Sequence, residues 1–349
     1  MKFRDTFCFD DVLLEPQYSS IKSRSEVDLS CDLGEKYNFK LPVISSPMDT
    51  VTEVDMAAAM HRVGGLGIVH RYNSIGEQQA LIEDLYNKIL LEYPEDLRPP
   101  VAAAVGVTGD YLSRAQAVVS SGARILCVDI AHGHHIFMLQ ALERLREYFG
   151  DGVHLMAGNV ATLEAFDDLA RSGADSIRVG IGGGSICSTR LVSGHGIPTL
   201  QSVLDCAESE YDAKIIADGG IRTTGDMVKA LAAGADFVMV GSMLAGTNES
   251  PGETFIGQGK KEYKVYRGMA SFDAQKDWRE KSSTPEGVST TIPYKGLTAD
   301  ILKDIRGGLC SGLSYTGARS IHELHSRARF IRQSTSGNRE SFTHILVKE

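Results

Sequence analysis

The stretch from Val153 to Gly184, VHLMAGNVATLEAFDDLARSGADSIRVGIGGG, carries the fold in a single unit. It opens on a short apolar run, VHLMAGNV. A helix-like stretch, LEAFDDLARSGA, comes next. The pair Gly173-Ala174 reads as a helix stop that turns the chain into a second run, SIRV, which ends in a glycine-rich loop. Continuous apolar runs of this length suit strands buried on both faces of a parallel sheet.

The same unit repeats on either side. Upstream runs are LPVISSPM from Leu41, GLGIVH from Gly65, VAAAVGV from Val101 and RILCVDIAHG from Arg124; downstream are AKIIADGG from Ala213 and DFVMVGSM from Asp236. Helix patterns DMAAAMHRVG, GDYLSRAQAVVSSGA and TTGDMVKALAAGA precede the second, fourth and eighth runs. Eight strand–helix alternations predict an α/β fold of the (β/α)8, or TIM, barrel type. An open doubly wound sheet fits less well, because no GxGxxG fingerprint opens the first strand. Residues 1–349 read as one domain, with a polar mobile flap at 270–285, two helices within 298–332 and an extended C-terminal tail at 333–349.

Composition narrows the function. Apolar residues make up 42% of the 349, and no apolar run reaches the length of a membrane span. The N-terminal MKFRDTFCFDD has no apolar signal core, so a cytoplasmic protein is expected. A net charge of −9 argues against nucleic-acid binding, though not against a local phosphate pocket. The six cysteines show no metal-type spacing and read as reduced thiols.

Polar residues gather where a barrel places its active site, at the C-terminal strand ends. ADGGIRTTGD, VGSMLAGT and GGGSICST offer glycine N–H groups, with Ser185 and Ser242, for a phosphate. Their plainer reading is tight turns. Cys187 is the one cysteine in a strand-end loop, where N–H donors favour a thiolate nucleophile; a buried structural thiol is the alternative. Asp218 and Asp129 could each hold ribose hydroxyls or cap a helix. Glu286 could meet a purine N–H or relay protons with Thr189, or be a solvated loop charge. His70, His132 and His134 form no metal pattern.

At GIGGGSICSTR the chain strongly resembles the IMP dehydrogenase/GMP reductase family. FDDVLLEP, SSPMDTVTE, AHGH, AGNVAT, ADGGIRTTGD, VGSMLAGTNESPGE, YRGM, PEG, GGLCSGLSYTG and ESFTH extend the likeness over nearly the whole length. The resemblance implies a homotetrameric barrel acting at purine C2 of IMP, XMP or GMP with NAD or NADP, through a covalent bond to Cys187. It casts Thr189 as the proton-relay hydroxyl. Ser185, Gly220, Gly241, Ser242 and Tyr266 become phosphate contacts, and Asp218 the ribose clamp. Gly268, Met269 and Glu286 meet the base, with Met48 packing nearby. Asp129, Asn159, Gly180 and Gly182 face the cofactor. Carbonyls of Gly182, Gly184 and Cys187, with a neighbouring subunit's copies of Glu340 and Ser341, resemble the dehydrogenase's potassium site.

Departures matter too. Only about 30 residues separate His70 from Val101, so the family's paired regulatory modules are absent there. The loop reads GGGS rather than GPGS, and Thr199 follows Pro198 where a Gln is usual. The flap is short and lacks the water-activating Arg-Tyr pair; Arg279 is the nearest candidate. Whole-chain likeness points to the dehydrogenase. GMP reductase is the alternative, and a non-catalytic nucleotide-binding barrel a minor one.

Overall fold

The computed structural model describes residues 3–278 and 283–343. Eight parallel strands close into a barrel: β1 (Val43–Ser45), β2 (Leu66–Val69), β3 (Val101–Val105), β4 (Ala123–Asp129), β5 (His154–Val160), β6 (Ser176–Val179), β7 (Lys214–Asp218) and β8 (Phe237–Val240). β8 pairs with β1 to complete the ring. Eight helices alternate with them: α1 (Val54–Arg62), α2 (Ile75–Glu92), α3 (Tyr111–Ser120), α4 (Ile136–Phe149), α5 (Leu163–Arg171), α6 (Thr199–Cys206), α7 (Thr224–Ala232) and α8 (Thr298–Thr316). All eight expected strands are present.

The helices the sequence reading did not place, α2, α4 and α6, follow even-numbered strands. α2 starts at a Ser74–Glu77 capping box, Ser74 Oγ accepting from Glu77 N and Glu77 Oε2 from Ser74 N. With the short turn of helix at Glu95–Leu97 it accounts for most of the link between β2 and β3, and no further module is inserted there. The three Gly-Ala stops behave as expected: Gly122, Gly173 and Gly234 have φ of +115°, +102° and +112°, which side chains rarely adopt.

Strand periodicity divides the core in two. In β4, Leu126 and Val128 face the helices, whereas Ile125 and Cys127 face the barrel axis. The axis is filled by Ile44, Ile68, Met156, Ile216, Phe237 and Met239, among others. Continuing this alternation carries Asp129 on β4, Arg178 on β6 and Asp218 on β7 into the top inward layer.

Outside the barrel, Glu262–Arg267 forms the middle strand of a three-stranded antiparallel sheet with Phe255–Ile256 and Ser289–Pro293. Phe330–Arg332 pairs with Val12–Leu14 near the N-terminus. The polar segment after Met269 is not wholly irregular. It contains a helix, Phe272–Trp278, held to the barrel by Arg267, which pairs with Asp49 at 2.6 Å and Asp277 at 2.5 Å. The C-terminal tail also departs from the extended expectation. Ser334 caps a short helix, Thr335–Glu340, by accepting from Gly337 N, a local bond the sequence reading passed over. No helix among the described residues is long and apolar enough to cross a membrane.

Two buried histidines predict acid sensitivity. Burial lowers His61 and His154 from an ordinary 6.5 to about 4. The unfolded imidazoles protonate first as pH falls. The stability is therefore whole above 6.5 and lost progressively toward 4, each residue costing about 2 kcal/mol at pH 5. Urea denaturation at pH 7 and pH 5 should show this loss; equal stabilities would contradict it.

Candidate active site

Two adjoining cavities open at the C-terminal mouth of the barrel. One, of about 290 Å³, lies between the β6, β7 and β8 loops and the end of the Glu262–Arg267 strand. Gly220, Gly241, Ser242, Ser185 and Tyr266 line its far end. Tyr266 is buried and bonds to Ser185; burial pushes its phenol pKa up while that bond opposes the shift. Arg222 also lines this lobe, but its guanidinium is clamped by Asp10 at 2.5 and 3.0 Å. The donors left free to this lobe are therefore backbone N–H groups and hydroxyls.

The second cavity, of about 280 Å³, lies toward β2 and β4. Asp129, Asn159, Gly180 and Gly182 all line it. Tyr72, which the sequence reading had not singled out, forms its outer wall with Trp278, the two rings 4.8 Å apart. The Arg71 guanidinium stands 4.9 Å over the Tyr72 ring.

The two cavities share one wall. Cys187, Thr189, Asp218, Met48 and Met269 line both. Cys187 is exposed, and its thiol donates to Thr189 Oγ1 at 3.2 Å. The loop is held by a turn, Cys187 N to Gly184 O at 3.1 Å. It is also zipped to the PEG segment: Ser188 N donates to Glu286 O at 2.9 Å, and Val288 N to Ile186 O at 3.0 Å. That pairing brings Glu286, ninety-nine positions away in sequence, into the lobe with Cys187. The other thiols differ. Cys127 and Cys206 are buried, and burial raises their pKa values to about 11 and about 12. They fit the structural reading.

Below the shared wall lies a charge network centred on Arg178. Its Nη1 donates to Asp129 Oδ1 at 2.6 Å; its Nη2 and Nε donate to Asp218 Oδ2 at 2.8 and 3.2 Å. Asn159 Nδ2 reaches the same Asp218 oxygen at 2.8 Å and Gly180 O at 2.9 Å. Asp129 is drawn below the usual carboxylate value; burial opposes this, and Arg178 and Arg71 outweigh it. Arg178 was missed because it sits inside an apolar strand run; a lone charge there was the available signal.

Two expected residues, Glu340 and Ser341, line neither cavity. Arg279 lies outside the described residues. Glu340 and Ser341 sit at the end of the C-terminal helix, whose Asn338 donates to Asp10 O. No cluster of His, Cys, Asp and Glu among the described residues could hold a metal ion.

The family model for the IMP dehydrogenase/GMP reductase domain matches residues 6–344. The chain belongs to the IMP dehydrogenase/GMP reductase family. It is 36% identical to an inosine-5'-monophosphate dehydrogenase of Nitrosopumilus maritimus, covering 99% of this chain and 100% of that one. It is 34% identical to a GMP reductase of Leishmania major, with 97% of both chains covered. The first alignment spans 476 positions against 349 residues here, so well over a hundred of them are gaps in this chain. Among solved structures, a cysteine-to-alanine variant of Trypanosoma brucei GMP reductase, in complex with guanosine 5'-monophosphate, superposes with a TM-score of 0.90. It shares 32% identity, with 99% of each chain covered. Members of the family are NAD(P)-dependent oxidoreductases, and this chain is such an enzyme.

Proposed function

We propose that the enzyme oxidises IMP to XMP with NAD through a covalent adduct on Cys187. The observation that carries this reading is the place of Cys187 in the wall common to both cavities, with Thr189 Oγ1 3.2 Å away. The nucleotide phosphate binds Ser185, Gly220, Gly241, Ser242 and Tyr266. Asp218 clamps the ribose. Gly268, Met269 and Glu286 meet the base, against Met48. That seats purine C2 at the sulfur.

The cofactor lobe suits a dinucleotide. Asp129 offers a carboxylate for ribose hydroxyls, and Asn159, Gly180 and Gly182 line the same space. The lobe continues past Arg71, Tyr72, Ile130 and Trp278 into a third cavity of about 1070 Å³, roomy enough for the rest of the molecule. When bound, the nicotinamide supplies a hydride acceptor.

The residues then divide the work. Cys187 passes its proton through the Thr189 hydroxyl to solvent and forms an S–C2 bond. The C2 hydrogen departs as hydride, leaving a thioimidate on the sulfur. Thr189, with Glu286, takes a proton from the attacking water. The new C2–O bond displaces the thiol, and XMP leaves. The sum is IMP, NAD and water giving XMP, NADH and a proton.

A second reading, GMP reduction by NADPH to IMP and ammonia, is favoured by the short segment between Met269 and Glu286. Displacing ammonia needs no activated water, so a flap without an Arg-Tyr pair suffices. Following reduced-cofactor absorbance with IMP plus NAD, and with GMP plus NADPH, separates the two. Cofactor reduction in the first mixture is expected; turnover only in the second reverses the direction.

Further parts of the reading rest on the resemblance. The segment from Ala270 to Trp278 and from Ser283 to Pro285 acts as a flap over the site; Arg279, the candidate for water activation, lies outside the described residues. Carbonyls of Gly182, Gly184 and Cys187 hold potassium, completed by a neighbouring subunit's copies of Glu340 and Ser341 in a homotetramer. Gly184 O already accepts from Cys187 N, but a carbonyl has a second lone pair to offer. The free cysteines suit the reducing cytoplasm.

A further inference from the structure

We infer that Arg178 is a positioning residue that couples the two lobes, so that nucleotide and dinucleotide strengthen each other's binding. The inference rests on the proposed function, which assigns one ligand to each lobe.

The geometry is that of one cation shared between two carboxylates. Arg178 is 7% exposed and lies at the barrel axis. One edge of its guanidinium is spent on Asp218 and the remaining Nη on Asp129. Asp218 lines both lobes, whereas Asp129 lines the cofactor lobe alone. The barrel makes room for this arrangement. A Cβ on Gly158 of β5 would lie 2.6 Å from Arg178 Cβ, so the inward position beside the arginine must be glycine.

The network leaves each acid a defined share of its bonding capacity. Asp218 Oδ2 already accepts from Arg178 and Asn159, so Oδ1 is the oxygen left for a ribose hydroxyl. Asp129 Oδ1 is taken by Arg178, while Oδ2 meets Tyr72 Oη at 3.3 Å and Arg71 Nε at 3.4 Å. A ligand that fixes Asp218 fixes the guanidinium plane, because three of its nitrogens are tied to the two acids. The fixed guanidinium then holds Asp129 in place before the second ligand arrives. Each ligand thereby lowers the ordering cost of the other, and by linkage the enhancement is reciprocal.

Calorimetric titration on a Cys187→Ala background, where no adduct forms, reads this coupling directly. IMP is titrated with and without saturating NAD, and the pair GMP and NADPH is tested likewise. Saturating dinucleotide should tighten nucleotide binding by about fivefold or more. Arg178→Gln should bring the ratio to about one, and Arg178→Lys, which keeps the charge but spans only one carboxylate, should restore part of it. Asp129→Asn, near-isosteric and confined to the cofactor lobe, should lose the enhancement too, which keeps the test open if Arg178→Gln does not fold. A ratio of one in the Cys187→Ala parent overturns the inference, as does an undiminished ratio in a folded Arg178→Gln protein or in Asp129→Asn. A parent that binds no purine nucleotide overturns the proposed function instead.

Discussion

Cys187→Ala is expected to lower turnover by about 10⁴-fold or more while leaving nucleotide affinity within a few-fold. The asymmetry follows from the site. Affinity comes from the β6, β7 and β8 loops, Tyr266 and Asp218, none of which touches the sulfur through a bond that alanine would remove. Among the described residues the side-chain partner of the thiol is Thr189, a hydroxyl able to find water instead. Steady-state kinetics with an equilibrium binding measurement separate the two quantities. Cys206→Ala makes the control: its thiol is buried on α6, and its loss should cost stability rather than turnover. A Cys187→Ala enzyme with wild-type kcat would remove the covalent route.

The second large effect is expected at the proton-handling pair. Thr189→Ala and Glu286→Gln should each reduce kcat by about 10²-fold or more, with smaller changes in the nucleotide KM. Thr189 is the hydroxyl against the sulfur, so its loss strands the thiol proton and leaves the attacking water without an acceptor. Glu286 is brought beside it by the backbone pairing of Ile186 and Ser188 with Glu286 and Val288, which the Gln substitution leaves intact. Thr189→Ser, keeping the hydroxyl, should recover most of the activity. A variant pair that raises KM alone would make these residues binding groups and move proton transfer elsewhere.

The sequence was legible where the chemistry is local. Eight apolar runs gave eight strands, and the residues at their C-terminal ends line one cleft. Gly-Ala pairs marked helix ends because positive φ is needed there. α2 is readable from the Ser74–Glu77 capping box at its start, a local signal set in an otherwise mixed polar and apolar link. Trp278 and Tyr72 meet across more than two hundred residues, a contact no local pattern encodes. Arg178 was the costliest miss. Asp129, Asn159 and Asp218 were each singled out as ligand contacts, yet the cation that bridges the two acids was absorbed into a strand as one more residue. The C-terminal helix likewise hides in a polar stretch with no apolar face, betrayed only by its Ser334 cap.

The central claim is a bond between the Cys187 sulfur and a purine ring carbon. The most direct measurement is the mass of enzyme quenched in acid during turnover with IMP and NAD, followed by peptide mapping. A nucleotide-sized increment on the peptide holding Cys187 is predicted, absent from Cys187→Ala. Turnover with no such increment, or an increment on another peptide, would contradict the account.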